Sequence, residues 1–124
     1  MGLDVDYYSI PKSIADKKSV LDCDNLSVIE YNEINDSEFE HLKYFRKNSI
    51  SRDIFTEIIP HNQCDYYLYN KEELESKLSI LNERREYFLI HDTEARYKEV
   101  LEALTDIVQK LDFENNYFVF AWVS

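Results

Sequence analysis

The chain has 124 residues, a length that suits one domain, and 44% of them are apolar, enough for an ordinary core. Its 25 acidic and 14 basic residues leave a formal net charge of −11, which disfavours nucleic acid and membranes as partners and suits a basic protein. The single glycine excludes the G-x-G-x-x-G, Walker A and G-x-S-x-G designs, and with them the nucleotide-dependent enzymes built on them.

Residues 3–10 (LDVDYYSI) alternate, with Leu3, Val5 and Tyr7 on one side, and predict a strand stopped by Pro11. Residues 12–25 mix Lys, Asp and Ser and predict a loop with at most a helical turn. Residues 26–34 (LSVIEYNEI) are rich in β-formers and predict a second strand, broken by Asn35-Asp36-Ser37. Ser37 with Glu40 has capping-box spacing, and Phe39, Leu42 and Phe45 recur at a helical interval, so a helix is expected over about 37–47. Ile50, Ile54, Phe55 and Ile58 predict a further helix ending before Pro60, with Asn48-Ser49 marking the break between the two.

Residues 64–69 (CDYYLY) alternate and predict a strand. Asn70 and Glu73 form a second capping box ahead of a helix whose buried stripe is Leu74, Leu78 and Leu81, running to about Arg85. Residues 86–91 (EYFLIH) fit either a short strand or a continued helix. Tyr97, Val100, Leu101, Leu104, Ile107, Val108 and Leu111 give residues 93–111 the clearest helical period in the chain. Residues 117–123 (YFVFAWV) are apolar throughout, as a strand buried on both faces requires. The order β-β-α-α-β-α-(β)-α-β predicts a single α+β domain over 1–124, with about four strands, about four helices and a central carboxyl-terminal strand.

Counted by halves, charge is even: residues 1–60 hold twelve acids and seven bases, residues 61–124 thirteen and seven. The opening MGLDVDYYSI has no basic stretch followed by an apolar run, so no secretory signal is expected there. Asp6 occupies the place where an amino-terminal acylation motif has Ser or Thr. No apolar stretch has the length of a membrane span. Cys23 and Cys64 are too few for a disulfide framework, and both are expected reduced, in a cytoplasmic protein.

His41, His61 and His91 lack zinc-motif spacing. His61 and Cys64 stand three apart without a second pair of ligands, so the expectation is a buried strand cysteine beside a surface histidine, with no metal. No catalytic residue and no cofactor is assigned. Lys43, Arg46, Lys47 and Arg52 form the one basic block, read as a solvated face paired with Glu38 and Glu40. Arg84-Arg85 closes a helix, where cations suit the dipole. Glu99, Glu102 and Asp106 fall at i, i+3 and i+7 and form one carboxylate stripe with Glu94 nearby, while Glu72, Glu73 and Glu75 crowd another helix start.

The opening MGLDVDYY, the block Tyr44-Phe45-Arg46-Lys47-Asn48-Ser49-Ile50 and Phe55 resemble a family of small uncharacterised phage and bacterial proteins. Those begin MGLDMYL and carry a Y-W-R-K-x-N-x-I-H-x-W-F helix. The likeness extends to a Cys-Tyr strand at Cys64-Asp65-Tyr66-Tyr67 and an aromatic strand at Tyr117–Trp122. Phe45 stands where that family has Trp, and Ser51 or Arg52 where it has His. The resemblance implies a phage or prophage origin in a bacterial host and singles out Arg46, Asn48 and Cys64.

The expected function is that of an acidic phage-type inhibitor. It would cover a basic, nucleic-acid-binding host protein, anti-CRISPR-like in size and charge, with no direct contact to nucleic acid or membrane. Steering would come from Glu94, Glu99, Glu102, Asp106, Glu72, Glu73 and Glu75, and exposed tyrosines would anchor the complex. Two alternatives stand beside it. One is a small-molecule or anion site, or an enzyme pocket, near Tyr44, Arg46, Asn48 and Cys64. The other is an immunity protein against a basic nuclease toxin.

Overall fold

Val5, Tyr7 and Ser9 alternate along the chain with Asp4, Asp6 and Tyr8. In the computed structural model, which describes residues 2–57 and 59–124, the first set is buried and the second half-buried on the two faces of strand β1 (Asp4–Pro11). The chain continues through helix α1 (Lys12–Lys18) and two short strands, β2 (Val20–Leu21) and β3 (Ser27–Ile29). Two 3₁₀ turns (Tyr31–Glu33 and Asp36–Glu38) lead to β4 (Glu40–Arg46) and helix α2 (Ser49–Thr56). Then come β5 (Tyr66–Tyr69), α3 (Lys71–Glu83), α4 (Arg85–His91), α5 (Glu94–Lys110) and β6 (Asn116–Val123).

The α+β class is as expected; the sheet is larger, with six strands in the order β2-β3-β5-β6-β1-β4, every neighbouring pair antiparallel. β6 is interior and buried on both faces. Phe118 and Phe120 point into the main core with Val5, Tyr7, Phe45 and the apolar stripes of α2 to α5. Val119 and Ala121 point to a smaller core with Ile10, Ile29, Tyr66, Leu68 and Ala15 of α1. The first face is the helix face, and the second is the outer face.

The helix expected over 37–47 is absent. A capping box exists two residues earlier, between Asn35 and Glu38, and closes only the second 3₁₀ turn. From Glu40 the chain is strand. Tyr7 pairs with Lys43 and Tyr8 with His41, so Leu42 is an extra residue, a β-bulge. The bulge reverses which side faces inward: Phe45 enters the main core while Phe39 packs on Tyr8 and Tyr66 of the outer face. Apolar residues three apart thus imitate a helical period. The Tyr44–Ile50 block, expected on a helix, is the end of β4, a turn with Lys47 at φ 57°, and the first turn of α2.

Residues 12–18 form a helix of two turns rather than a loop, and the 26–34 strand shortens to Ser27–Ile29. Residues 85–91 are helical. Both Asn70 and Thr93 cap their helices through side-chain acceptance from the third backbone N–H, as the capping pattern requires. Ile58, expected on the apolar face of the second helix, lies outside the described residues. Among the described residues no helix is long and apolar enough to cross a membrane.

Candidate functional site

Asn48 is fully buried and belongs to the scaffold. Its Oδ1 accepts from the Ser51 N–H that opens α2, and its Nδ2 donates to the Arg96 carbonyl and to Glu99 Oε1 on α5. Tyr44 and Arg46 alternate on β4 and face outward, where Tyr44 donates to Asp4. Cys64 is exposed in a left-handed turn at φ 71°, with its backbone N–H bonded to the Trp122 carbonyl. The expected pocket of these four residues is therefore split: Tyr44 and Arg46 lie on the outer face, Cys64 lines a cleft on the same face that holds none of the others, and Asn48 is sealed between α2 and α5.

The burial of the His61–Cys64 pair is the reverse of the expectation. The strand begins at Tyr66, so Cys64 stays in the turn, while His61 folds inward and is only 6% exposed. His61 Nδ1 lies 2.7 Å from the Ile59 carbonyl oxygen, which can only accept, so Nδ1 carries the proton. Nε2 is then the acceptor for the Tyr69 hydroxyl at 2.6 Å. Burial, with Lys77 adding to it, holds the imidazole below its ordinary pKa, and burial pushes the Tyr69 phenol up. Both ring nitrogens are occupied, so this pair is a locked wall rather than a free base. It bounds a cleft of about 390 Å³ lined by Phe55, Ile59, Tyr69, Glu72, Glu73 and Lys77 among others.

The seven carboxylates named from the helical stripes are all exposed, and three of them are already engaged. Glu99 lies 3.7 Å from the Lys43 ammonium and accepts from Asn48, and Asp106 lies 2.6 Å from Lys110. Glu73 accepts from the Asn70 N–H in its capping box. Within Glu94–Lys110 the four acids share the helix with Arg96, Lys98 and Lys110, so α5 is nearly neutral.

The uncompensated charge is elsewhere. From Ser19 to Leu42 there is no Lys or Arg, and seven acids: Asp22, Asp24, Glu30, Glu33, Asp36, Glu38 and Glu40. The even charge of the two halves masks this run. Among the described residues only Glu38 of the seven meets a cation, Lys18 at 2.9 Å. The segment leaves the β2 edge and crosses the outer face from β3 to β4, packing Ile34 and Phe39 on the smaller core. Asp4 and Asp6 of β1 share that face, and Asp65 accepts from the Tyr31 N–H. Exposed apolar groups stand among these acids: Val20 is 53%, Leu21 69% and Tyr31 58% exposed.

Beneath the crossing segment lies an aromatic trough. One chamber of about 140 Å³ is lined by Asp6, Tyr8, Tyr31, Cys64, Tyr66 and residues of β6. A second of about 310 Å³ is lined by Tyr31, Asn32, Ile34, Asn35, Asp36 and Tyr66. Tyr66 donates to Asp36 at 3.3 Å, and His41 Nε2 donates to Asp6 at 2.8 Å. Burial and then Asp36 push the Tyr66 phenol up to about 12, and burial with Asp6 raises Tyr8 as well. Among the described residues no group of His, Cys, Asp and Glu is gathered as a metal site. No protein family, curated protein or solved structure matches the chain.

Proposed function

We propose that this protein is an acidic docking module that covers a basic surface of a protein partner, and that its outer face, with the Ser19–Leu42 segment, makes the contact. The observation that carries the reading is that segment: seven carboxylates without one Lys or Arg, interrupted by exposed Val20, Leu21 and Tyr31. Carboxylates steer a cationic partner and reject wrong ones; apolar and aromatic groups supply the affinity once water is expelled. The surface suited to steering is therefore the outer face rather than α5. A phage-type inhibitor that blocks a nucleic-acid-binding host protein fits this physics, because a carboxylate array presents the charge of a phosphate backbone. An immunity protein against a basic nuclease shares the same physics.

The test is retention from a bacterial lysate on the immobilised protein at low salt, followed by purification of the captured partner. The partner is expected to be basic. Its association with a Glu30→Lys, Glu33→Lys, Asp36→Lys variant should slow by about tenfold or more, as loss of electrostatic steering implies. Retention of no basic protein, or an unchanged association rate for the variant, would end this reading.

One observation favours a second reading: the 390 Å³ cleft is of ligand-binding size, with an apolar floor, the His61–Tyr69 pair and the half-buried Lys77. A small-molecule site belongs there rather than around Asn48. A metabolite that raises the melting temperature of the wild type but not of Lys77→Met would support it.

A further inference from the structure

The outer-face trough has a chemistry narrower than general acidity. Tyr31 and Tyr66 line both of its chambers, Tyr8 closes the smaller one, and carboxylates stand at both ends: Asp6 in the smaller chamber, Asp36 in the larger. Tyr8 and Tyr66 meet edge to face with ring centroids 6.1 Å apart, so Tyr66 is braced while Tyr31 stands exposed. No Lys or Arg lines either chamber. At about 140 Å³ the smaller chamber has the scale of a single side chain, and the larger, at about 310 Å³, stands at the lower end of the roughly 300–1,000 Å³ of ordinary small-molecule sites. An anion would face carboxylates with no cation to meet it. A neutral apolar group would leave the Asp36 carboxylate, held only by the Tyr66 hydroxyl, without a cation.

We propose that this trough seats one arginine side chain of the protein partner, its guanidinium lying against the tyrosine rings and hydrogen-bonded to Asp36. Arginine suits the site better than lysine. Its flat cation stacks on aromatic faces, sheds water more easily than an ammonium, and offers donors in a plane to a carboxylate. The assignment deepens the docking reading and rests on it for the partner's identity, whereas the pocket itself is testable alone.

Cys64 lines the smaller chamber and is exposed, which provides a reporter. Cys23→Ser leaves Cys64 as the one thiol. Its alkylation by iodoacetamide is followed by mass spectrometry with N-acetyl-arginine methylamide, the neutral citrulline analogue, or the lysine analogue, at matched ionic strength. The arginine amide should slow alkylation several-fold, citrulline should not, and lysine should act more weakly. Tyr31→Ala and Asp36→Asn, both at exposed positions, should abolish the protection while leaving the melting temperature near that of the parent. Equal protection by citrulline or lysine, or protection that survives both substitutions, overturns the assignment.

A deca-arginine peptide separates this failure from that of the broader reading. If the peptide binds in a salt-sensitive way while the amide leaves Cys64 unprotected, the trough assignment falls and docking stands. If the amide protects but the peptide binds no more tightly than the amide, the docking surface falls and the pocket stands.

Discussion

Asn48 shows how one buried side chain joins two helices. Its oxygen caps α2 and its nitrogen holds the first turns of α5. Asn48→Ala should cost about 2 kcal/mol in a urea melt, the sum of a lost cap and an unpaired carbonyl. Asp usually caps as well as Asn, yet Asn48→Asp should be no better than Ala here, because its second oxygen would face the Arg96 carbonyl and the Glu99 carboxylate. Recovery of wild-type stability by Asp would refute that account of the site. His61 adds a pH dependence. Its folded pKa lies below the ordinary 6.5, so between the two values the unfolded chain binds the proton and the folded chain does not. The contribution is present above about pH 6.5 and is lost as pH falls through the depressed value. Asp22 and Asp24, which oppose the shift, and Lys77, which adds to it, are the charged groups acting on the ring. Thermal melts between about pH 7.5 and 5.5 should show a steeper loss for the wild type than for His61→Gln; parallel slopes would exclude His61 as the cause.

At the scale of elements, the two ends of the sheet are guarded differently. β4 is an edge strand, and its bulge at Leu42 together with Lys43 on the helix face keeps a further strand from adding. The Lys43 ammonium lies over the Phe45 ring, 5.5 Å from its centroid, and reaches Glu99 at 3.7 Å. Lys43→Val should preserve the fold yet raise the apparent mass in size-exclusion chromatography as concentration increases. β6 is the opposite case. It alone joins β2-β3-β5 to β1-β4, so removing residues 116–123 should abolish cooperative unfolding as followed by near-ultraviolet circular dichroism. That central role was legible from YFVFAWV, because a run without polar residues fits only a strand covered on both sides. The helix α3 was legible from its cap and period, and α5 from its period alone. β4 was not, because a bulge shifts face without leaving a mark in composition, and Phe39, Leu42 and Phe45 then copy a helical interval. The trough was hidden for another reason: Tyr8, Tyr31 and Tyr66 come from β1, a turn and β5, and only the crossing of residues 30–39 brings them together. The acid run from Asp22 to Glu40 was visible in the sequence and needed only a count by segment.

For the whole molecule, a net charge of −11 acts in opposite senses on folding and on docking. Folding gathers like charges, so screening them should stabilise the fold; docking brings opposite charges together, so screening should weaken it. The melting temperature should therefore rise between about 20 and 500 mM sodium chloride while the association rate with a cationic partner falls by about tenfold or more over the same range. A melting temperature that falls with salt would mean that the ion pairs, such as Lys18–Glu38 and Lys110–Asp106, outweigh the repulsion.

The position of β6 between two half-sheets has a consequence for how the molecule is made. Ribosomes deliver about 5–20 residues per second from the amino end, so β1 and β4 emerge early and wait, unsupported along one side, for the strand that unites them. A nascent chain halted before residue 116 would hold every other strand and still lack the seam. Such a stalled product is a natural client for chaperones and proteases, and the acid-rich crossing segment helps keep it dispersed in the interval.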